Sequence, residues 1–218
     1  TTGTANVALG YGALSAEDEH GHNVAIGYHA LVAQNAGADA YNVAIGSQSG
    51  SSISTGINNV LLGGSTGDAL TTGSYNIAIG HDALSTEDTG SRSVAIGYHA
   101  LQDQNYNGEA FNVAVGHLAG TSVTTGVQNT LIGGLAGDAL TTGIENIAIG
   151  HNALGSEDTG NKSIAIGRKA LFSQNYDGDT HNIAIGIQAG EDITTGLKNN
   201  LLGGLAGDSL TTGSNNVA

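Results

Sequence analysis

The sequence predicts an all-β fold, a parallel β-solenoid, and three observations carry that prediction. First, a pentamer, Asn-Val-Ala-Ile-Gly or a close variant, begins at positions 6, 23, 42, 59, 76, 93, 112, 129, 146, 163, 182 and 199, with a further copy starting at 216. Second, the spacings run 17, 19, 17 and 17 residues and then recur, so a 70-residue superrepeat of four coils occurs three times, at 6–75, 76–145 and 146–215. Third, the fifth pentamer residue is Gly in every complete coil. A unit of 17 residues is too short for a helical-hairpin repeat, which takes about 33–34.

The pentamer is the strand. Val and Ile are β-branched and favour extended backbone, and alternation sends Val24 and Ile26 to one face and Ala25 to the other. The segment after it, Tyr28-His29-Ala30-Leu31 or His81-Asp82-Ala83-Leu84 in two of the coils, is expected to form a second short strand. The fifth-position glycines, Gly27 and Gly46 among them, mark a corner that needs positive φ or close approach of the next backbone. A second Gly lies three residues before most pentamers, as in Gly73 and Gly143, and gives way to Asp39, Glu109 and Asp179 in the 19-residue coil. There the chain is expected to bulge outward. The first pentamer residue is Asn except at Ser93 and Ser163. Two readings stand open for it: a stacked amide ladder or a simple turn preference.

The middle pentamer residue is Ala in three coils of four and Leu in the fourth, at Leu61, Leu131 and Leu201. With the flanking Val and Ile assigned to the core, this never-polar position reads as a second buried face, where small Ala admits another chain. The expectation is a homo-oligomer with Ala95 and Ala165 at the interface. Asn200, beside Leu201, is then an unexplained polar residue in the core.

Composition removes several classes. Five Lys and Arg against 19 Asp and Glu give a formal charge of −14, a poor match to nucleic acid or anionic lipid. No stretch approaches the roughly 18 apolar residues of a membrane helix, and no membrane insertion of this segment is expected. Absence of Cys excludes disulfides, thiolate zinc sites and a Cys nucleophile. With no Met, and a beginning and end partway through the pattern, the chain is expected to be one continuous solenoid, 1–218, cut from a longer protein.

The Asn-Val-Ala-Ile-Gly series resembles the head repeats of trimeric autotransporter adhesins of the YadA-like kind, whose consensus is close to Asn-Ser-Val-Ala-Ile-Gly. Related Ala-Leu-x-x-x-Thr-Thr-Gly-x-x-Asn repeats occur in bacteriophage tail fibres and large bacterial surface proteins. The resemblance covers essentially the whole chain, although coils of 17 or 19 residues are longer than those usual in adhesin heads. It implies a left-handed β-roll, a homotrimer, and attachment to cells or surfaces from an extracellular, cell-surface or virion fibre position. A monomeric spacer or an ice-binding protein, the latter suggested by the pairs Thr71-Thr72, Thr124-Thr125, Thr141-Thr142, Thr194-Thr195 and Thr211-Thr212, is the rival reading.

No enzyme is expected, and no catalytic or cofactor-binding residue is assigned. Glu17-Asp18-Glu19, Glu87-Asp88 and Glu157-Asp158 are neighbours without a companion cleft and read as solvated charged corners, not as an acid–base pair. The long-coil loops, with Asn105, Asn107 and Glu109 or Asn175, Asp177 and Asp179 around a Gly, offer alternate oxygen ligands. An ordinary Asn/Gly turn is preferred there, with calcium as the minority reading. Tyr106 and Tyr176 in the same loops suggest stacking on sugars. Among the eight His, equivalent positions 70 residues apart stand about 19 Å apart, four strand spacings, too far for one metal. His20-Gly21-His22 is a local zinc candidate that lacks further obvious ligands.

Overall fold

The computed structural model describes residues 3–17 and 20–218. Two compact units divide the chain, Thr1–Phe111 and Asn112–Ala218. The first holds strands β1 (Val7–Leu9), β2 (Val24–Ile26), β3 (Val43–Ile45), β4 (Val60–Leu62), β5 (Ile77–Ile79) and β6 (Val94–Ile96). The second holds β7 (Val113–Val115), β8 (Thr130–Ile132), β9 (Ile147–Ile149), β10 (Ile164–Ile166), β11 (Ile183–Ile185) and β12 (Asn200–Leu202). Within each unit successive strands pair in parallel and in exact pentamer register, Ala25 beside Ala44 and Ala165 beside Ala184. Each unit is therefore a parallel β-solenoid, and no helix occurs among the described residues.

Among the described residues each coil contains one strand, not two. Residues 28–33 and 81–84 form turns, because His29, Leu31, Asp82 and Leu84 all take positive φ between 49° and 56°. A left-handed residue at alternate positions curls the backbone too tightly for a strand. The segment still stacks on its neighbours: His29 N–H donates to the Tyr11 carbonyl at 2.9 Å and Leu31 N–H to Ser49 at 3.1 Å. The residue before every pentamer is also left-handed, although it is as varied as Tyr75, Arg92, Phe111 and Lys162.

The glycine corner behaves as expected. Gly46 has φ 143°, and a Cβ there would lie 2.0 Å from the Gly63 carbonyl oxygen of the next coil. Stacked carbonyls leave no room for a side chain, so the same residue recurs at each level.

The faces of the strand are inverted relative to the sequence expectation. Ala25, Ala44, Ala95, Ala114 and Ala165 are fully buried inside the coil, whereas the flanking Val and Ile point outward and are half-buried or exposed. The physical reason is width. The opposite wall sends Ala30-Leu31 or Ala100-Leu101 into the same narrow interior, which leaves room only for Ala across from Leu. Where two successive coils carry Gly on that wall, the middle pentamer residue of the second is Leu. Leu61 fills the space beside Gly50 and Gly67, whose added Cβ atoms would lie 2.8 and 3.1 Å from its methyls, and Leu131 does the same for Gly137. The Ala-to-Leu change every 70 residues conserves core volume. Asn200 is no longer anomalous, since it lies on the outer face and is exposed.

A second interior column is polar. The Asn59 backbone N–H donates to Asn42 Oδ1 at 2.8 Å, and Asn59 Nδ2 donates to the Gly73 carbonyl at 2.9 Å. Asn76, Asn129, Asn146 and Asn199 repeat both contacts. Of the two open readings for this residue, the ladder holds. Each of these five amides is satisfied by neighbouring coils, which removes the penalty of burying it.

Candidate functional site

Outward-facing Val, Ile and Leu form the most conspicuous surface feature. In the first unit, the first and third residues of β1 to β6 are all aliphatic, and in the second unit only Thr130 and Asn200 depart from that rule. Ile77 is 38% exposed, Ile79 36%, Ile132 36% and Ile183 37%, while Leu202 reaches 73%. Among the described residues no charged side chain lies in a strand, so their acids are confined to turns and loops. Soluble monomers seldom leave a contiguous apolar band of this kind in water.

The acidic turns are not solvated corners. Glu87 and Glu157 are fully buried and Glu17 nearly so, while Asp18 and Glu19 lie outside the described residues. Glu87 Oε1 accepts from the N–H of Gly90 at 2.8 Å and of Asp88 at 3.1 Å; its Oε2 accepts from Gln104 Nε2 at 2.9 Å and the Tyr106 N–H at 3.3 Å. Gln104 Nε2 also reaches Ser93 Oγ at 2.9 Å. Glu157, Gln174 and Ser163 repeat this cluster. The carboxylate does the work of an amide: it ties the corner of one coil to the long loop of the next. The signal lay in the sequence, because Asn gives way to Ser at the same coils, but it required pairing Ser93 with residues on both sides.

In the first superrepeat the cluster is incomplete. Asn23 stands where Ser93 and Ser163 stand, and Gln34 Nε2 turns to the Ser54 carbonyl at 3.4 Å. Asn23 Nδ2, Glu17 Oε2 and His20 Nδ1 are left buried without a partner. The 19-residue coil displaces the Gly carbonyl that an Asn at this level would otherwise use.

The long-coil loops project as expected, with Asn105, Asn107, Glu109, Asn175, Asp177 and Asp179 exposed. Their oxygens engage the preceding coil. Arg92 Nε donates to Glu109 Oε1 at 2.7 Å, Lys162 Nζ to Asp179 Oδ2 at 2.6 Å, Thr89 to Asn107 and Thr159 to Asp177. The Lys162 ammonium holds the Asp179 carboxyl below its usual value and is itself pushed up. Arg92 lies over the Tyr75 ring at 5.1 Å and the Phe111 ring at 5.9 Å. Tyr106 and Tyr176 are half-buried. Of the Thr pairs, Thr71, Thr124, Thr141 and Thr194 each give their hydroxyl to a carbonyl of the next coil, which leaves the second Thr of each pair outward.

The histidines are distributed as follows. His22 Nε2 lies 3.6 Å from Asp39 Oδ2, and its ring stacks on Tyr41 at 4.9 Å. His29 stacks on Tyr28 at 4.0 Å. His81 and His99, in successive coils, come together with Asp82: Asp82 Oδ2 is 3.0 Å from His81 Nδ1 and 3.3 Å from His99 Nε2. The governing separation is one coil, not one superrepeat. Nearby Asp68, and its counterpart Asp138, have carboxyl pKa values raised chiefly by desolvation, with the Asp82 charge adding to the effect at Asp68.

No protein-family model, curated protein or solved structure matches this chain.

Proposed function

We propose that the chain is a non-catalytic fibre segment of a surface-displayed adhesin, or of a phage tail fibre, that self-associates as a homotrimer through its outward aliphatic face. The single observation that supports this reading is the charge-free band of Val, Ile and Leu on the strands' outer side. A second copy is the favoured occupant because it presents the same aliphatic side chains at the same strand spacing, about 4.7–4.9 Å. Match in pitch is then automatic over many coils. The proposed interface uses different residues from those expected on sequence grounds, Ile77 and Ile79 in place of the buried Ala95 and Ala165. Trimer stoichiometry and the adhesive role draw on the resemblance of the pentamer series to adhesin heads. Attachment would fall to the projecting long-coil loops, where exposed polar groups surround Tyr106 and Tyr176.

Light scattering of the purified segment tests the proposal. The expected mass is three times the 21.6 kDa chain. Ile79→Lys combined with Ile132→Lys should reduce it to that of one chain while far-UV circular dichroism stays unchanged, because both positions are more than a third exposed. Ala95→Glu, by contrast, buries a charge in the coil interior and should unfold it. A wild-type mass of one chain would refute self-association and favour the monomeric spacer.

A further inference from the structure

The geometry points to a transition-metal site formed by His81, Asp82 and His99 in the first unit, of the kind that takes Zn²⁺. His81 and Asp82 follow directly on the glycine corner after β5, and His99 stands two residues past the corner after β6. Stacking in register therefore sets the side chains of one coil on those of the next. The His99 backbone N–H donates to the His81 carbonyl at 3.0 Å, which fixes their separation. Both Asp82 and His99 have φ 54°, which fixes the direction of each Cα–Cβ bond.

One imidazole nitrogen from each His and one carboxylate oxygen lie within 4.8 Å of one another. Two of the three separations are 3.0 and 3.3 Å. Ligand atoms about 2.0–2.2 Å from zinc stand roughly 3.3 Å apart in a tetrahedral site. His81, the most exposed of the three at 60%, has the freedom to close the remaining gap. Tyr98 stacks on the His99 ring at 3.8 Å and 13°, so that ring is held in place. Two neutral imidazoles and one carboxylate form a nitrogen-oxygen donor set suited to zinc, with a fourth position open to water or to a ligand from outside. A chain of charge −14 favours cation uptake in general; this donor set selects the place.

The third superrepeat supplies an internal control. His151, Asn152 and Lys169 occupy the equivalent positions, with Asn152 and Lys169 at φ 56° and 60°. The backbone is the same, but the carboxylate is an amide and the second imidazole is an ammonium that pairs with Glu191 at 2.9 Å. That level cannot bind zinc.

Calorimetric titration of ZnCl₂ into the chelator-stripped 218-residue chain tests the assignment. One equivalent per chain is expected. Asp82→Asn with His99→Lys copies the third superrepeat, so it should fold with unchanged circular dichroism and lose that equivalent. Asn152→Asp with Lys169→His should add a second one. No uptake by the wild type, undiminished uptake by the Asp82→Asn/His99→Lys variant, or no second equivalent in the converse variant would overturn the proposal.

Discussion

Asn23→Ser should make the protein more stable, although it removes hydrogen-bonding groups from the interior. Asn23 occupies the level at which the other two superrepeats carry Ser, and its Nδ2 is buried with no acceptor. Glu17 Oε2, the carboxylate oxygen that receives Gln Nε2 in the other copies, is buried with no donor. Each such orphan costs about 1–3 kcal/mol. With Ser at 23, Gln34 Nε2 can bridge Ser Oγ and Glu17 Oε2 as Gln174 Nε2 bridges Ser163 at 2.6 Å and Glu157 at 2.9 Å. Against this gain stand two losses: Gln34 Nε2 gives up its 3.4 Å bond to the Ser54 carbonyl, and the Asn42 N–H gives up its acceptor. Asn23 Oδ1 accepts from the Asn42 N–H at 3.0 Å, a bond worth about 1 kcal/mol. The net effect is a stabilisation of about 1–2 kcal/mol, which in a chain of this size raises Tm by roughly 2–8 °C. Thermal melts followed by circular dichroism measure it, and amide exchange of the coil around Asn42 localises it. The converse change, Ser163→Asn, should create an orphan amide and destabilise by a similar amount. If Asn23→Ser is neutral or destabilising while Ser163→Asn is harmless, the account of the buried polar cluster is wrong.

Two further predictions concern volume and charge. Leu131→Ala should cost about 2–5 kcal/mol as a cavity, and Gly137→Leu should recover part of it, since a Cβ at 137 would lie 2.8 Å from the Leu131 methyl and Leu154 already holds this corner at φ 53° in the next coil. A double-mutant cycle by denaturant titration reads the coupling, and strict additivity would refute the volume argument. Asp138→Asn should stabilise at neutral pH. Desolvation raises the Asp138 carboxyl above 3.8, so its charged form is penalised in the fold at high pH and that penalty fades as pH falls toward 3.8. Denaturation midpoints of the two proteins should therefore converge on acidification; a gap that widens instead would show the sign to be wrong.

Much of the fold was legible because its signals were local and repeated. Pentamer spacing located all twelve strands, and Gly46 and its equivalents declared a corner that no side chain can occupy. Inside and outside were harder. In Val-Ala-Ile both sets of alternating residues are apolar, so periodicity separates two faces without saying which is enclosed. The deciding clue was a covariation across the coil: Leu61 appears where Gly50 and Gly67 replace the bulkier Leu31 and Leu84. Glu87 was misplaced for a related reason. An acid in a turn ordinarily faces water, and only the joint presence of Ser93 and Gln104 betrays its burial. The left-handed residue before each pentamer left no trace at all, since Tyr75, Arg92 and Lys162 share no backbone preference. His81 and His99 were each visible, but the coil-to-coil stagger that joins them emerged only once the turn was known.

A stack of nearly identical coils carries a hazard that the buried Glu–Gln–Ser cluster answers. Asn rungs and Ala cores look the same from one level to the next, so a nascent strand that docked one level too early would find acceptable neighbours. Glu157 would not. Displaced by a coil, it would lose Gln174 and lie uncompensated beside an Asn whose amide is already spent on a carbonyl. The cluster acts as an index mark on an otherwise unmarked ruler. Present in the second and third superrepeats, it lets a growing solenoid count its own levels and reject a slip before further coils are laid on top.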